Sequence, residues 1–530
     1  MLIGYVSDER YAALPDVLLE FLGPAGDSHE ARSRASGSVH ADLPPGDYQV
    51  VLQKPGFGAK RVRLTLPAAE PYQFRLLADG LLGYAWPKWV RAGEPSEFRV
   101  HAVEQYKLAL YRYGREAEFV RNLGWHDEHG PRATMQVTPD GDYTRTGVRW
   151  NQVGYTSPTH KQFVTAPERS GLYYFHAATP SGLHFAFPWV VAPARPSAPL
   201  AVLASNITWN AYNSFGGRSN YINADRLPDT PVVNSRLELS RYVDAESHTW
   251  GHADYAPLSF ERPEPLNDIR LGEKLADPVE GRMACGVAPA EWRLLGWLER
   301  EGFAYDFYAE TQLHSGALDL SAYKALVLSV HPEYWTRPMY DRVKRWVFEE
   351  GGRLIYLGGN GLNCEVELRP DDTMVVHNGQ IQSLWPAGMG GRESRFAMRY
   401  ESEANLLGVV FDPAGAMTGA PYRVVDAAHW AFAGTGLKDG DVFGTKSLHM
   451  RCPGGASGHE TDKVSPSSPK GVRRLAKGMN IDKGGADMVT FETPSGGAVF
   501  SAGSISYPCS LPVDEHISKL TANVVRRFLG

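Results

Sequence analysis

His331-Pro-Glu-Tyr-Trp335 sets an imidazole and a carboxylate two residues apart, directly after the apolar run Leu326-Val-Leu-Ser-Val330. These are metal-ligand and acid/base residue types, and in extended backbone residues i and i+2 point to the same side. A short run rich in valine and leucine, with helix-like segments before and after it, reads as a buried parallel strand. In open α/β sheets ligands bind outside the carboxyl ends of the strands. This stretch is therefore the expected chemical centre.

The side chains that would converge on it lie just beyond the other strand candidates. Leu200-Ala-Val-Leu-Ala-Ser205 leads into Asn206 to Asn213, including Tyr212, and then into Gly216 to Tyr221. Arg353-Leu-Ile-Tyr-Leu357 ends in Gly358-Gly-Asn-Gly361 and delivers Asn360, and Gly497-Ala-Val-Phe-Ser501 delivers Ser504. The set is polar and acidic, contains a histidine and lacks a nucleophile of the strand-elbow-helix type, since Gly-x-Ser-x-Gly is absent. Cys364 follows the fourth turn by several residues and reads as a buried structural thiol rather than a nucleophile. Water activated by a metal is the better candidate for the attacking group.

The elements that must hold these residues occupy the second half of a 530-residue chain, long enough for three or four domains. Residues 1–78 carry strand patterns at Val17 to Phe21, Tyr48 to Leu52 and Arg61 to Leu66, with Pro/Gly turns between them. Gly46 to Phe57 resembles small β-sandwich modules of the transthyretin or carboxypeptidase-regulatory type, which implies a structural or assembly role. Residues 79–194 form a second all-β pattern, Ig-like in spacing. Its loop Trp125-His-Asp-Glu-His129 reads more readily as hydrated polar loop than as a metal cluster. After the linker Val191 to Pro199, residues 195–530 change to strands with helices: Pro289 to Gly302, Pro338 to Glu350 and Glu515 to Leu529 are the helix candidates. The expected fold is multidomain, two N-terminal β-sandwiches followed by a doubly wound α/β domain, with irregular insertions at about 213–280 and 365–490.

Hydrophobic residues make up 43% and charged residues 22% of the chain, and the net charge of −6 argues against a nucleic-acid partner. No segment approaches the roughly 20 apolar residues of a membrane helix, and the first ten residues have no secretory pattern. A soluble cytoplasmic protein is expected. Cys285, Cys364, Cys452 and Cys509 make no CxxC pair, which argues against a disulfide framework or a zinc-thiolate site.

Taken together, Trp209-Asn-Ala-Tyr-Asn213 with Gly216-Gly-Arg-Ser219, Ser259-Phe-Glu-Arg-Pro263, His331-Pro-Glu-Tyr-Trp335, Gly358-Gly-Asn360, Gly458-His-Glu-Thr-Asp-Lys463 and Phe500-Ser-Ala-Gly-Ser504 form an ordered series. Over about residues 200–530 it resembles the large-subunit family of N,N-dimethylformamidase. The resemblance implies a glutamine-amidotransferase-like α/β domain holding one ferric ion between two tyrosines and a glutamate. It implies hydrolysis of a small N-substituted formamide to formate and an amine. Carried over, the glutamate is Glu333 and the first tyrosine Tyr212; the second falls on Tyr255, with Tyr221 as the alternative. Phenolate and carboxylate are hard anionic donors, and a phenol near pKa 10 loses its proton at neutral pH only to a strong Lewis acid such as Fe3+.

By the same resemblance Glu460 is the general acid/base, while His331 and Asn360 orient substrate and stabilise the oxyanion. Partners implied are a small amide substrate, further copies of this chain and a separate small subunit. Two other classes stay open: a ligand-binding or assembly protein without metal, and a thiol enzyme using Cys364.

Overall fold

A computed structural model of the chain describes residues 1–126, 137–152, 162–233, 255–277, 287–377 and 395–530. The first module pairs a three-stranded sheet, in spatial order Ser38–His40, Leu2–Ser7 and Tyr72–Arg75, with a four-stranded one, Ser28–Arg32, Leu18–Leu22, Gly46–Gln53 and Lys60–Leu66. Strict alternation drives this packing: along Lys60–Leu66 every second residue is buried, and Val62, Leu64 and Leu66 meet Phe21, Val50 and Leu52 between the sheets. In the second module a three-stranded sheet and a five-stranded sheet enclose Val100, Leu110, Phe175, Phe187 and Trp189, with Phe175 and Phe187 stacked at 4.9 Å. Both modules are all-β.

The rest of the chain is organised by one nine-stranded sheet, whose strands are numbered here along the chain. They are β1 (Leu200–Ala204), β2 (Asp306–Ala309), β3 (Ala325–Val330), β4 (Arg353–Gly358), β5 (Tyr422–Val424), β6 (Val442–Phe443), β7 (Arg473–Gly478), β8 (Asp487–Glu492) and β9 (Ala498–Ser501). The spatial order is β2-β1-β3-β4-β9-β8-β7-β5-β6. The first five in that order are parallel and the remaining pairs antiparallel.

The sheet is thus mixed, and the doubly wound expectation holds for its parallel half. Every residue of β1, β2 and β3 is buried, because helices cover both faces. Val202, Val327 and Ile355 face α2 (Trp292–Arg300) and α5 (Glu515–Leu529); Leu203, Leu326, Leu328 and Leu354 face α3 (Glu310–Ser315) and α4 (Arg337–Phe348). Capping fixes where these helices begin. The Thr336 hydroxyl accepts from the Met339 N–H, and the Asp514 carboxylate from the N–H groups of His516 and Ile517. At the far end of α4 the chain needs Gly352, since a Cβ there would lie 2.1 Å from the Trp346 ring.

The stretch 365–490, expected as an insertion, instead supplies β5, β6, β7 and β8 of this sheet. Those strands are short and interrupted by Gly and Pro turns, and their partners are distant in sequence, so local periodicity is weak. Within the other expected insertion, 213–280, the turn at Gly216 is seated on the N-terminal module: the Gly216 N–H donates to Glu9 O at 2.7 Å and Arg75 Nη2 donates to Gly216 O at 3.1 Å.

Candidate functional site

The parallel strand order 2-1-3-4 reverses between β1 and β3, the switch point at which doubly wound sheets bind ligands. β1 runs through Ser205 into the seven-residue α1 (Asn206–Tyr212), which presents Thr208 and Tyr212 one turn apart. The carbonyls at the end of α1 are met by the buried Arg262 guanidinium, which donates to Phe215 O at 2.6 Å, Asn213 O at 3.3 Å and Asn210 Oδ1 at 3.1 Å. That is the role of Ser259-Phe-Glu-Arg-Pro263: it fixes the helix that carries Tyr212.

β3 ends at Val330 with φ +53, a left-handed conformation rare for a β-branched residue. Strain of this kind is retained where surrounding contacts over-determine the backbone. Here it turns the chain into His331, Pro332 and Glu333, and the Glu333 N–H donates to Thr208 Oγ1 at 3.1 Å.

The polar groups meet on Oε2 of Glu333. Tyr212 Oη donates to it at 3.0 Å, Tyr221 Oη at 3.0 Å, and His331 Nε2 lies 2.9 Å away. Tyr212 Oη is also 3.1 Å from His331 Nε2, and Tyr221 Oη 2.9 Å from Tyr334 Oη, which in turn takes Asn220 Nδ2. His331 Nδ1 is 3.0 Å from the Gly359 carbonyl, an acceptor only, so Nδ1 carries a proton. Its Nε2 faces both the Glu333 carboxylate and the Tyr212 hydroxyl. Burial alone would raise the Glu333 carboxyl, but the charge and hydrogen bond of His331, with Arg395 and the Tyr212 hydroxyl, outweigh it and hold the carboxyl below its usual range.

The opposite wall comes from the turn after β4. Asn360, at φ +47, donates through Nδ2 to Glu460 Oε2 at 3.0 Å, and Glu460 Oε2 is 3.8 Å from His331 Nε2. The loop of Glu460 can approach because Gly359 has no side chain: a Cβ would lie 2.5 Å from Glu460 O and 2.6 Å from Ile505 N. Asp462 pins the turn from beneath, accepting the Asn360 N–H at 2.8 Å and the Tyr356 hydroxyl at 2.9 Å. Burial raises its carboxyl to about 6 despite those two donors. Glu460 keeps 24% of its side chain exposed, whereas His331 has none. It is the group with a path to solvent.

Of the residues expected from sequence, Tyr212, His331, Glu333, Asn360 and Glu460 are brought together. Tyr221, the alternative second tyrosine, sits on Glu333. Tyr255, the first choice, begins the described stretch after 234–254, half-buried against the apolar cluster that contains Tyr212 and Tyr221. Ser504 does not face the site: its hydroxyl donates to Ala456 O at 2.9 Å and accepts the Gly458 N–H at 2.9 Å. Trp335 donates to Glu310 Oε1 at 2.8 Å within the core. Cys364 begins the strand Cys364–Leu368, fully buried, and burial pushes its thiol far up, so it is no thiolate nucleophile. In the loop 125–129, Trp125 and His126 end a strand and Asp127 to His129 lie outside the described residues.

Thr208, Tyr334, Tyr356 and Asp462 were not expected. Thr208 was legible as the residue one helical turn before Tyr212, and Asp462 as two after Glu460.

The family description N,N-dimethylformamidase beta subunit-like, C-terminal, matches residues 107–520. The chain belongs to that family. The N,N-dimethylformamidase beta subunit of an Alcaligenes species is 26% identical over 472 residues, which cover 73% of this chain and 59% of that one. The beta subunit of Paracoccus aminophilus is 26% identical over 502 residues, 78% and 62% of the two chains. The chain thus spans about three-fifths of the length of these curated relatives.

In this member of the dimethylformamidase family the oxygen donors gathered at Glu333 are of the kind that hold hard cations. Phenol oxygens, a carboxylate oxygen and an imidazole nitrogen crowd one buried point at 2.9 to 3.1 Å, with protons where a cation would neutralise the same charges. Among the described residues no helix is long and apolar enough to cross a membrane.

Proposed function

We propose that the chain is an amide hydrolase that cleaves a small N-substituted formamide to formate and an amine. One observation carries the reading: Tyr212 and His331 converge on Glu333 Oε2 while Asn360 and Glu460 face them across the same crevice. Tyr212, Glu333 and a second phenolate, Tyr255, would hold a mononuclear ferric ion. Tyr221, tied to Tyr334 as well as to Glu333, would orient the carboxylate as a neutral phenol. When bound, such an ion supplies Lewis-acid polarisation of the amide carbonyl and acidifies a water.

This chain's own residues do the proton work. Glu460 takes a proton from the attacking water and returns it to the departing amine nitrogen; its partial exposure lets it exchange protons between turnovers. Asn360 Nδ2, which donates one N–H to Glu460 Oε2, offers its second to the developing oxyanion, and its backbone is held by Asp462. The fixed Nδ1–H of His331 keeps Nε2 directed at the reacting groups. The likeness of the parallel half to glutamine-amidotransferase domains belongs to the same reading. So do a cytoplasmic location, assembly with further copies of this chain and pairing with a small subunit, the last because the relatives are named beta subunits.

The test is metal analysis and a substrate panel of formamides on one preparation. About one iron per chain, a visible phenolate-to-iron absorption and formate release are expected, all lost in Glu333→Ala. Colourless, iron-free protein that still hydrolyses formamides would overturn the metal assignment, and coloured protein inert with every amide, with and without a small subunit, would overturn the activity.

A further inference from the structure

We propose that His449, Cys452 and His459 form a second binding site, separate from the crevice, for a borderline-soft divalent cation of the zinc type. One nitrogen from each imidazole and the Cys452 sulfur all lie within 4.8 Å of one another, and all three residues are buried. Two imidazoles and a thiolate are donors that favour zinc over magnesium or calcium, and three protein ligands leave a fourth position for water.

The three residues are held in place by backbone contacts remote from one another in sequence. His459, at φ +67, sits between the strands Ser457–Gly458 and Thr461–Lys463. Its N–H donates to Thr418 O at 3.0 Å and its carbonyl accepts the Met417 N–H at 2.6 Å. Gly419 passes so close to Cys452 that a Cβ on it would lie 2.4 Å from the Cys452 carbonyl. The two rings stand perpendicular, with His449 Nε2 3.0 Å from His459 Nδ1.

Two nitrogen lone pairs cannot face each other at that distance, so a proton or a cation must lie between them. The Cys452 N–H donates to His449 Nδ1 at 3.1 Å, which places the His449 proton on Nε2 when no cation is present. Uptake of the ion through the facing nitrogens moves that proton to Nδ1, displaces the Cys452 amide from it, and releases the thiol proton to solvent. His459 immediately precedes Glu460, so the ion would anchor the loop that carries the proposed acid/base. That consequence rests on the proposed function; the site itself does not.

The test uses the full-length protein as purified, equilibrated with Zn2+ or Co2+ and freed of unbound metal. About one zinc per chain should be retained in addition to any iron, and the cobalt form should show a thiolate-to-cobalt charge-transfer band. Cys452→Ser and His459→Gln should weaken zinc binding at least about 100-fold, since the loss of an outer partner alone costs 10–100-fold, with iron content unchanged. Wild-type protein that retains no zinc, zinc that displaces iron without a cobalt–thiolate band, or equal retention by both variants would each overturn the site. The cobalt spectrum of the wild type decides the matter even if a variant fails to fold.

Discussion

Thr208 and Tyr212, one turn apart on α1, hold opposite ends of Glu333: Thr208 Oγ1 accepts its N–H at 3.1 Å and Tyr212 Oη donates to its Oε2 at 3.0 Å. A single short helix therefore fixes both backbone and carboxylate of the residue at the centre of the site. Thr208→Val keeps the shape and removes the acceptor. The Glu333 N–H keeps its second acceptor, His331 O at 2.9 Å, so the loss is that of one hydrogen bond, about 0.5–1.5 kcal/mol, while loss of an outer support costs about 10–100-fold in metal affinity. A lowered unfolding midpoint together with weaker iron retention is expected; unchanged values of both would show that Thr208 does not support Glu333.

The second phenolate is decided by iron content. Tyr212→Phe and Tyr255→Phe should each lose the visible absorption and at least about 100-fold of activity, whereas Tyr221→Phe should keep the colour and lose less than Tyr255→Phe. The reverse order for Tyr221 and Tyr255 would make Tyr221 the ligand.

Gly359→Ala tests the approach of the Glu460 loop. The new methyl would meet Glu460 O at 2.5 Å and must push it away. A displacement of about 1 Å can cost on the order of 100-fold in rate. The fall should appear in kcat, with iron retained.

Asp462 gives a pH signature. Its carboxyl is raised from 3.8 to about 6 by burial, so its stabilising form is the neutral one. The contribution is fully present below pH 4 and is lost as pH rises through about 6. Two units correspond to about 3 kcal/mol. Asp462→Asn should therefore gain stability relative to wild type between pH 4 and 7, by denaturant titration, while losing activity because Tyr356 and the Asn360 turn are held differently. A flat difference across that range would remove the assignment.

Cys364→Ala should leave activity and iron intact, with a modest stability loss from the cavity. Loss of activity with iron retained would restore the thiol reading.

Much of the site was legible in the chain because it rests on local order. The run Ala325–Val330 is buried on both faces and so reads as a continuous apolar strand, and the residues directly after it must lie at the sheet's carboxyl edge. Helix α4 was legible from Pro338 at its first turn and α5 as the run Glu515 to Leu529, and the structure adds Thr336 and Asp514 as their caps. Tyr212, His331, Glu333, Asn360 and Glu460 were all found in this way or through the motifs that surround them.

Pairing across long separations was not legible. β5, β6, β7 and β8 are two to six residues long and find their partners only in three dimensions, which is why they read as an insertion. Tyr221 on Glu333, Asp462 beneath Asn360, and His449 beside Cys452 and His459 depend on loops brought together by that sheet. Residue types and local periodicity determined which groups could do chemistry and on which strand ends they stand. Only the tertiary structure decided which of them touch, because distances of 3 Å between residues 100 apart are set by packing and turn strain, not by spacing along the chain.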